Sequence, residues 1–399
     1  MDYTFGTITI TPTAKKLIDS ALESTMLSQG KLVREFEERF ASILGVKEAV
    51  AVSSGTDADI LALASLYNKG AERGNEIIIP ALTFVATANA VVHAGFEPVF
   101  VDVKKDTYNI DPAKIEEKIT SETIAIMPVH LLGKPVEMDT IQAIAKKHNL
   151  FVVEDAAEAH GTKYKGKNAG AIGDIGAFSL YLAHIISSLE GGIITTNDAE
   201  LAEAARSLRS HGRNCVCKSC IMNSSTAICE KRFARGYDQR FTFDRIGYSC
   251  KMNELEAAIG LGTIEIYNKV VGKRKANLTY LMNGFRRFAP SLNTFSEEDH
   301  EIIGPHAFPI VLGEEVAFSR EEYVAYLRER KIDTRDLFAS IPTQYQSFID
   351  YSGHRLGEFP NAEHIGTHGI HIGVHQDLTK AHLDYFLETT ENFLKSRLK

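Results

Sequence analysis

The first half of the chain alternates short apolar runs with stretches of helical periodicity. The runs are five or six residues long and rich in Val, Ile or Phe. Several are continuous rather than alternating, which is typical of strands buried in a parallel sheet. They span Ala49–Ser53, Glu76–Pro80, Pro98–Val103, Thr123–Pro128, Phe151–Asp155, Gly176–Tyr181 and Gly192–Thr196. Helical periods lie between them, over Ala58–Tyr67, Pro112–Ile119, Asp139–His148 and Ala199–Leu208. The alternation predicts an α/β fold with a mainly parallel sheet of seven strands, covered by helices.

The pattern changes over residues 211–245, which are polar and poor in aliphatic side chains. This composition predicts an irregular inserted loop. A helix over Asn253–Val271 leads to a second region, which has a strand at Pro309–Leu312, a helix at Arg320–Lys331 and a final helix from Lys380. The second region is therefore predicted to be a smaller α+β domain.

Charge and composition exclude several classes of protein. The 399 residues carry 44 basic and 52 acidic side chains, a net charge of −8, which argues against general nucleic-acid binding. No stretch approaches 18 consecutive apolar residues, so no membrane span is expected. The N-terminus has no basic start followed by an apolar run, so a signal peptide is not expected either. We therefore expect a cytoplasmic protein whose thiols stay reduced.

The five cysteines are clustered. Cys215, Cys217, Cys220 and Cys229 fall within 15 residues, and Cys250 follows them. In a reducing compartment this clustering favours a metal or iron–sulfur site over a disulfide framework.

Three further segments carry candidate chemistry. Residues 53–57 lie between a strand and a helix, where exposed amides either bind an anion or form an ordinary capped turn. Residues 154–158 end a strand with acidic side chains, which either hold a protonated ring nitrogen or cap a helix. Ser179 ends a strand and can ligate phosphate, and His184 follows it in an apolar setting where a structural histidine is the common alternative.

Ten segments, in order and over nearly the full length, carry a family resemblance. The chain resembles the DegT/StrS-type sugar-nucleotide aminotransferases, which are fold-type-I pyridoxal phosphate enzymes. The matching segments are Ser54–Thr56, Pro80–Thr87, Val129–Gly133, Glu154–Ala157, Phe178–Ser179, Glu190–Gly192, Gly247–Tyr248, Glu254–Gly260, Thr334–Arg335 and Ile372–His375.

The resemblance implies a domain organisation. Residues 1–20 would pack on the small domain, and residues 21–262 would form the large cofactor domain, with 211–245 inserted in it. Residues 263–399 would form the small C-terminal domain. A homodimer is also implied, because active sites in the family are shared between subunits.

The resemblance also implies roles for individual residues. Gly55, Thr56 and Ser179 would bind the cofactor phosphate. Phe84 would lie against the pyridine ring, and Asp155 would pair with the ring nitrogen and keep it protonated.

Two cofactor positions depart from the family pattern. Glu158 stands near the ring hydroxyl, where the family often has a polar amide. Ser249 stands where the family has an asparagine that reaches the partner subunit's phosphate, so this contact is expected to be weakened or lost.

The decisive departure is at His184. The aminotransferases of the family carry a lysine at this position, and this chain has no lysine between Lys167 and Lys218. Imidazole cannot form the internal Schiff base that an amine forms. The cofactor is therefore expected to be held noncovalently as pyridoxamine phosphate, with His184 as a base near neutral pH. This pattern resembles the family's sugar 3-dehydratases, which use a histidine here.

The cysteine segment is similar to the iron–sulfur loop of one such dehydratase type. Cys215, Cys217 and Cys229 match ligand positions of its 2Fe–2S cluster, which would imply an electron-transfer reductase as partner. A further ligand position holds Ala157, so Cys220 or Cys250 would have to replace it. Structural zinc and unligated thiols remain alternatives, because four thiolates also satisfy zinc.

The sequence thus predicts dehydration at carbon 3 of a nucleotide-linked 4-keto-6-deoxy sugar, by an enzyme using pyridoxamine phosphate. An aminotransferase and a catalytically silent cofactor-binding homologue are the alternatives. The anionic substrate needs basic contacts, for which Arg335 and Lys251 are candidates, although each is equally consistent with a solvated surface role.

Overall fold

A seven-stranded sheet forms the centre of the large domain. The computed structural model describes residues 1–24, 27–215, 217–218, 220–224 and 228–397. The strands are β1 (Glu48–Val52), β2 (Glu76–Pro80), β3 (Glu97–Val101), β4 (Thr123–Ile126), β5 (Phe151–Asp155), β6 (Ile175–Ser179) and β7 (Gly192–Thr196). Their order is β1-β7-β6-β5-β4-β2-β3, and only β7 runs antiparallel to its neighbours. The predicted mainly parallel sheet is confirmed.

Helices cover both faces of this sheet. They are α1 (Pro12–Ser24), α2 (Lys31–Leu44), α3 (Gly55–Ala64), α4 (Val85–Ala94), α5 (Met138–His148), α6 (Ala199–Leu208) and α7 (Glu254–Glu265). One apolar cluster lies between α2, α7 and the sheet, and a second lies under α5. The largest cluster extends from α3 and α4 into the small domain.

The small domain is built on a four-stranded antiparallel sheet. Its strands are β8 (Leu292–Asn293), β9 (Ala307–Leu312), β10 (Arg335–Asp336) and β11 (Gly369–Gly373), in the order β8-β9-β11-β10. Its helices are α8 (Tyr267–Phe285), α9 (Arg320–Glu329), α10 (Pro360–His368) and α11 (Lys380–Arg397). A small separate sheet joins Lys163–Tyr164 and Lys167–Asn168 to Glu301–Ile302.

The first residues of the chain lie along the small domain. The hydroxyl of Tyr3 donates to the carbonyl of Gly373 at 2.7 Å, and Thr7 donates to Asp377 at 2.8 Å. Helix α1 then packs against α7 of the large domain.

Several helices differ from the sequence prediction. The predicted helix Asn253–Val271 is two helices, α7 and the start of α8, separated at Ile266, whose ψ of 7° leaves the helical range. The predicted helix Pro112–Ile119 is two 3₁₀ turns. Helix α4 was not predicted, because its Ala- and Val-rich residues are buried without a clear amphipathic stripe.

The segment 211–245 is irregular, as predicted, in the part that the structure describes. It contains only helices of three or four residues, at Ile221–Ser224, Glu230–Phe233 and Gln239–Phe241. Val216, Ser219 and residues 225–227 of this predicted loop lie outside the described residues. Within the described ranges, no helix is long and apolar enough to cross a membrane.

Candidate functional site

A cavity of about 460 Å³ lies where the carboxyl ends of the parallel strands face the small domain. Parallel strands place their carboxyl ends at one edge, which is where ligands bind in open α/β sheets. Seven residues predicted from sequence line this one cavity: Gly55, Thr56, Phe84, Asp155, Glu158, Ser179 and His184. The small domain and the N-terminal segment close the opposite wall with His306, Arg335, Asp336, Phe338, His371 and Phe5.

One end of the cavity is suited to an anion. Helix α3 begins here, and Ser54 caps it by accepting the N–H of Asp57 at 3.0 Å. Gly55 packs so closely on Ser179 that a Cβ at position 55 would lie 2.7 Å from the Cβ of Ser179. Free amides at a helix start and a neighbouring hydroxyl are the donors that a phosphate needs.

Asp155 lies at the end of β5 on the floor of the cavity. Thr87 donates to its Oδ2 at 2.7 Å, and the N–H of Ala157 donates to its Oδ1 at 3.1 Å. Burial raises the pKa of Asp155, and these two hydrogen bonds act in the opposite direction. A buried carboxylate held in this way can pair with a cationic ring nitrogen.

Phe84 is an exposed aromatic residue at the cavity. Its side chain is 56% exposed, and its ring centroid lies 5.5 Å from that of Phe338. An exposed aromatic face beside a buried acid offers a stacking surface for a planar ring.

His184 lies on the loop after β6. The backbone N–H of His184 donates to the backbone carbonyl of Tyr181 at 2.9 Å. Its Nδ1 is buried and has no hydrogen-bond partner among the described residues. Burial, then the nearby His160 and Arg274, lower the pKa of His184 to about 3, so its imidazole is neutral at physiological pH. Lysine is absent from the described lining of the cavity.

Two more cavity residues interact with each other beside His184. The ring of His306 lies 5.0 Å from the ring of His184, centroid to centroid. Nε2 of His306 lies 3.3 Å from Oε1 of Glu158, and Oε2 of Glu158 accepts the N–H of Leu132 at 2.7 Å. Burial raises the pKa of Glu158 to about 8, whereas burial, and then the neighbouring histidines and Arg274, lower the pKa of His306 well below its usual range.

Sequence reasoning missed His306 and Asp59. Asp59 lines the cavity one turn beyond Gly55, and its buried Oδ1 has no partner among the described residues. Burial, then the nearby Asp155, raises the pKa of Asp59 well above its usual range. A second acid in the otherwise apolar helix α3, two residues after Asp57, was the available signal, whereas His306 precedes β9 with no motif to distinguish it.

The candidate basic residues differ in position. Arg335 lines the cavity with its guanidinium 4.0 Å from the ring centroid of Phe5. Lys251 and Ser249 are not in the lining, and Nζ of Lys251 donates to Oγ of Ser249 at 3.3 Å. Ser249 therefore contributes nothing to the cavity of its own chain, which leaves its predicted contact with a partner subunit untested.

The cysteines are not assembled as a four-thiolate site. The sulfur atoms of Cys215 and Cys217 are 3.8 Å apart. In the described part of the chain, no three His, Cys, Asp or Glu side chains come together as a metal site. Cys250 is 4% exposed in the main apolar cluster, and burial raises the pKa of its thiol to about 12. The prediction that Cys250 replaces the missing ligand is therefore not supported, because a buried thiol of this kind resists ionisation.

The cavity fits a pyridoxal-type cofactor better than the loop fits a cluster. The anion-binding end, the buried Asp155 and the exposed Phe84 correspond to the phosphate, the ring nitrogen and the ring face of such a cofactor. The unpartnered Nδ1 of His184 marks a further polar position in the same cavity.

Comparisons with known proteins agree with this arrangement. The dTDP-4-dehydro-2,6-dideoxy-D-glucose 3-dehydratase of Saccharopolyspora spinosa is 35% identical over 95% of this chain and 83% of its own length. The E. coli GDP-4-keto-6-deoxy-D-mannose-3-dehydratase, solved with bound hydrated PLP, is 27% identical with a TM-score of 0.87, covering 98% of this chain and 99% of that chain.

An aminotransferase is equally similar in structure. PseC of Helicobacter pylori, an aminotransferase of pseudoaminic acid biosynthesis, is 26% identical with a TM-score of 0.87, covering 99% of this chain and 100% of that chain. Residues 9–391 match the profile described as the DegT/DnrJ/EryC1/StrS aminotransferase family. The chain therefore belongs to the DegT/DnrJ/EryC1/StrS aminotransferase family.

Proposed function

We propose that the protein dehydrates carbon 3 of a nucleotide-linked 4-keto-6-deoxy sugar, using pyridoxamine phosphate, in deoxysugar or surface-polysaccharide biosynthesis. The observation that carries the proposal is His184, a neutral imidazole in a cavity whose described lining contains no lysine. Without a lysine amine, the covalent resting state of an aminotransferase is not available in this cavity. The 3-dehydratase activity of the S. spinosa and E. coli relatives supports the same choice.

Different residues of the cavity bind the cofactor and transfer a proton. Bound pyridoxamine phosphate supplies an amine that condenses with a ketone and a ring that accepts electrons. Gly55, Thr56 and Ser179 hold its phosphate. Asp155 keeps a proton on the ring nitrogen. His184 removes a proton from carbon, which the neutral imidazole that burial enforces is able to accept.

The small domain is proposed to hold the substrate. Arg335 lines the cavity from β10, and a guanidinium is well suited to the phosphates of a sugar nucleotide. Phe84 and Phe338 lie together at the same cavity and would limit the access of water to the reacting atoms.

The test separates dehydration from amino transfer. Incubation with a 4-keto-6-deoxy sugar nucleotide and pyridoxamine phosphate is expected to yield a keto sugar product that is lighter by one oxygen atom, because the carbon-3 hydroxyl is lost as water and replaced by hydrogen. Replacement of the keto oxygen by an amine in the product mass would instead identify an aminotransferase. Absence of any turnover, with the cofactor bound, would identify a silent homologue.

The noncovalent cofactor has its own test. Borohydride treatment of the resting protein loaded with pyridoxal phosphate is expected to trap no pyridoxyl-lysine. His184→Lys is the matched positive control, because it restores an amine at the position, and it should be labelled. His184→Asn should bind the cofactor but lose dehydration by about 10²- to 10⁴-fold. A labelled lysine in the unsubstituted protein would contradict the proposal.

The iron–sulfur cluster and its reductase stay separate predictions. The pair Cys215 and Cys217 supports them, but no third ligand joins this pair among the described residues, so no proton step above depends on a cluster. Protein purified anaerobically with ample iron is expected to contain iron and sulfide and to show visible charge-transfer bands. Colourless protein that contains zinc, or no metal, would identify one of the alternatives.

We also propose a homodimer. Large apolar side chains of the described part of the 211–245 segment, and of the residue after it, are exposed in the single chain, and they include Ile228, Phe233, Phe241, Phe243 and Ile246. Several exposed apolar side chains in one segment are the kind of surface that an interface covers. Sedimentation should give a molecular mass twice that of the chain. The double variant Ile246→Asp with Phe241→Asp should sediment with the mass of a single chain. A monomeric parent protein would contradict the proposal.

A further inference from the structure

Glu158 of the large domain and His306 of the small domain form a buried acid–imidazole pair beside His184. The Glu158 side chain is 14% exposed and that of His306 is 7% exposed. Nε2 of His306 lies 3.3 Å from the carboxyl, and the ring of His306 lies 5.0 Å from that of His184. Three proton-carrying groups, Glu158, His306 and His184, therefore lie next to one another where the two domains meet at the cavity.

A second buried pair in the same fold shows what a purely structural arrangement looks like. Glu154 accepts a hydrogen bond from His130 at 2.9 Å and three more from the N–H groups of Gly170, Ile172 and Gly173. Glu158 accepts one backbone N–H, from Leu132, and borders the cavity. A carboxyl with so few donors is poorly stabilised as an anion, so it retains its proton.

The surrounding charges favour the same distribution. The anionic side of Glu158 is faced by Asp155, whose negative charge opposes ionisation of Glu158. Burial opposes a positive charge on the His306 ring, which is faced by His184, His371, Arg274 and His160 from both domains, and Arg274 among them carries a permanent positive charge. These effects favour the proton of the pair on the Glu158 carboxyl, whose Oε1 lies 3.3 Å from Nε2 of His306.

We propose that Glu158 and His306 share this proton and act as a second acid–base group, which supplies the proton that the departing substrate hydroxyl needs. The inference rests on the proposed dehydration. It assigns the two proton transfers of that reaction to different groups, with His184 as the base and the Glu158–His306 pair as the acid.

The protons balance over one turnover. His184 accepts a proton as a C–H bond breaks, and the C–O bond to the leaving hydroxyl breaks with its electron pair on oxygen. The Glu158–His306 pair gives its proton to that oxygen, so that water departs. The proton on His184 then passes to His306 and restores the acid form of Glu158. The two electrons that replace the C–O bond come from the C–H bond of the cofactor amine, which an amino-acid donor such as glutamate would have to restore before the next turnover.

The shared proton is tested in the resting protein, without any turnover. The ring signals of ¹³C-labelled histidine are recorded against pH, and the signal of His306 is identified by its loss in His306→Gln. We expect this signal to shift in one step near pH 8, when Glu158 ionises. The step should vanish in Glu158→Gln, which keeps the shape of the side chain but has no proton to lose. A His306 signal without this step, or with the same step in Glu158→Gln, would overturn the pairing.

The acid role is tested by the pH profile of dehydration. We expect kcat of the parent protein to fall as pH rises above about 8, because the acid form of Glu158 is lost. Glu158→Gln should lower kcat by about 10²-fold or more and remove this alkaline limb. Glu154→Gln is the matched control: it disturbs the structural pair and lowers stability, but should leave the alkaline limb in place. An unchanged rate and profile in Glu158→Gln would overturn the acid role.

The two arms distinguish the inference from the function on which it rests. A parent protein that never dehydrates a sugar nucleotide refutes the proposed function and the acid role with it. The shared proton is still decided by the histidine spectra, which need no substrate.

Discussion

The hydroxyl of Thr87 donates a 2.7 Å hydrogen bond to Oδ2 of Asp155. This bond links α4 to the end of β5 and fixes the carboxylate at the floor of the cavity. The Oγ1 of Thr83 lies 3.0 Å from that of Thr87, so the bond is the inner member of a short hydroxyl chain.

Thr87→Val removes this donor and is expected to weaken Asp155 as a partner for a cationic ring. Burial already raises the pKa of Asp155, and loss of the hydrogen bond raises it further, which reduces the ionised fraction. A hydrogen bond to a charged group contributes ~1.5–3 kcal/mol, so we expect kcat to fall about tenfold or more. The absorbance of the bound cofactor against pH should report the same change. Thr83→Val removes only the outer hydroxyl and is the control, so an equal effect of both variants would contradict this account.

Gly55→Ala is expected to reduce cofactor affinity. The added Cβ would lie 2.7 Å from the Cβ of Ser179 and 2.9 Å from its Oγ, which forces apart the two sides of the anion site. We expect the Kd of pyridoxamine phosphate, measured by fluorescence titration, to rise about tenfold or more, because misplaced donors to a charged group cost ~1.5–3 kcal/mol. Gly272→Ala in α8 is the control, because nothing lies within 4 Å of its added Cβ. Unchanged affinity in Gly55→Ala would show that the phosphate binds elsewhere.

Acid should destabilise the cofactor-free protein through its buried histidines. Burial, then Arg335, lowers the pKa of His371 to about 3, so between pH 3 and 6.5 the unfolded chain binds a proton that the folded chain does not. The free energy of unfolding therefore rises with pH in this window. As pH falls through the window, one such group lowers the free energy of unfolding by up to ~1.4 kcal/mol per pH unit.

His371→Phe removes this contribution. Urea unfolding at several pH values should give a shallower pH dependence below 6.5 for the variant than for the parent protein. The two proteins should keep a constant stability difference above pH 7.5, where the ring is neutral in both states. Parallel curves across the whole range would contradict the prediction.

Glu37 and Arg209 form a buried ion pair under β1. Nη1 of Arg209 donates to Oε1 of Glu37 at 2.6 Å, and the same carboxyl oxygen accepts the N–H of Ala51 at 2.9 Å. Glu37→Leu leaves an uncompensated buried guanidinium and is expected to cost ~3–5 kcal/mol of unfolding free energy. The double variant with Arg209→Met should cost less than the single one, because both charges are removed. A double variant less stable than Glu37→Leu alone would contradict the prediction that the unpaired charge is the main cost.

The sheet could be predicted from the sequence because its strands are apolar on both faces. Ile77, Ile78 and Ile79 in β2 are all fully buried, and such runs are distinct in any part of the chain. Most of the seven cavity residues could be predicted because they follow these strands, and parallel strands end at one edge. Phe84 and the roles of the individual residues were predicted from the family resemblance.

The rest of the site depends on contacts between distant parts of the chain. His306 reaches Glu158 across 148 positions of sequence only because β9 of the small domain lies against the large domain. The alanine-rich α4 gave no amphipathic pattern, although it carries Thr87. Cys250 follows the loop cysteines in sequence, but backbone pairing of Val52 with Lys251 draws it into the core.

The first residues of the chain are part of the cavity wall that is proposed to hold the substrate. Phe5 lines it and lies beneath the guanidinium of Arg335, while Tyr3 fastens the same segment to Gly373. An affinity tag fused directly to Met1, or a shortened expression clone that starts at α1, would disturb the residue that shapes the substrate pocket. Kinetic work on this enzyme is therefore better done with a C-terminal or cleaved tag.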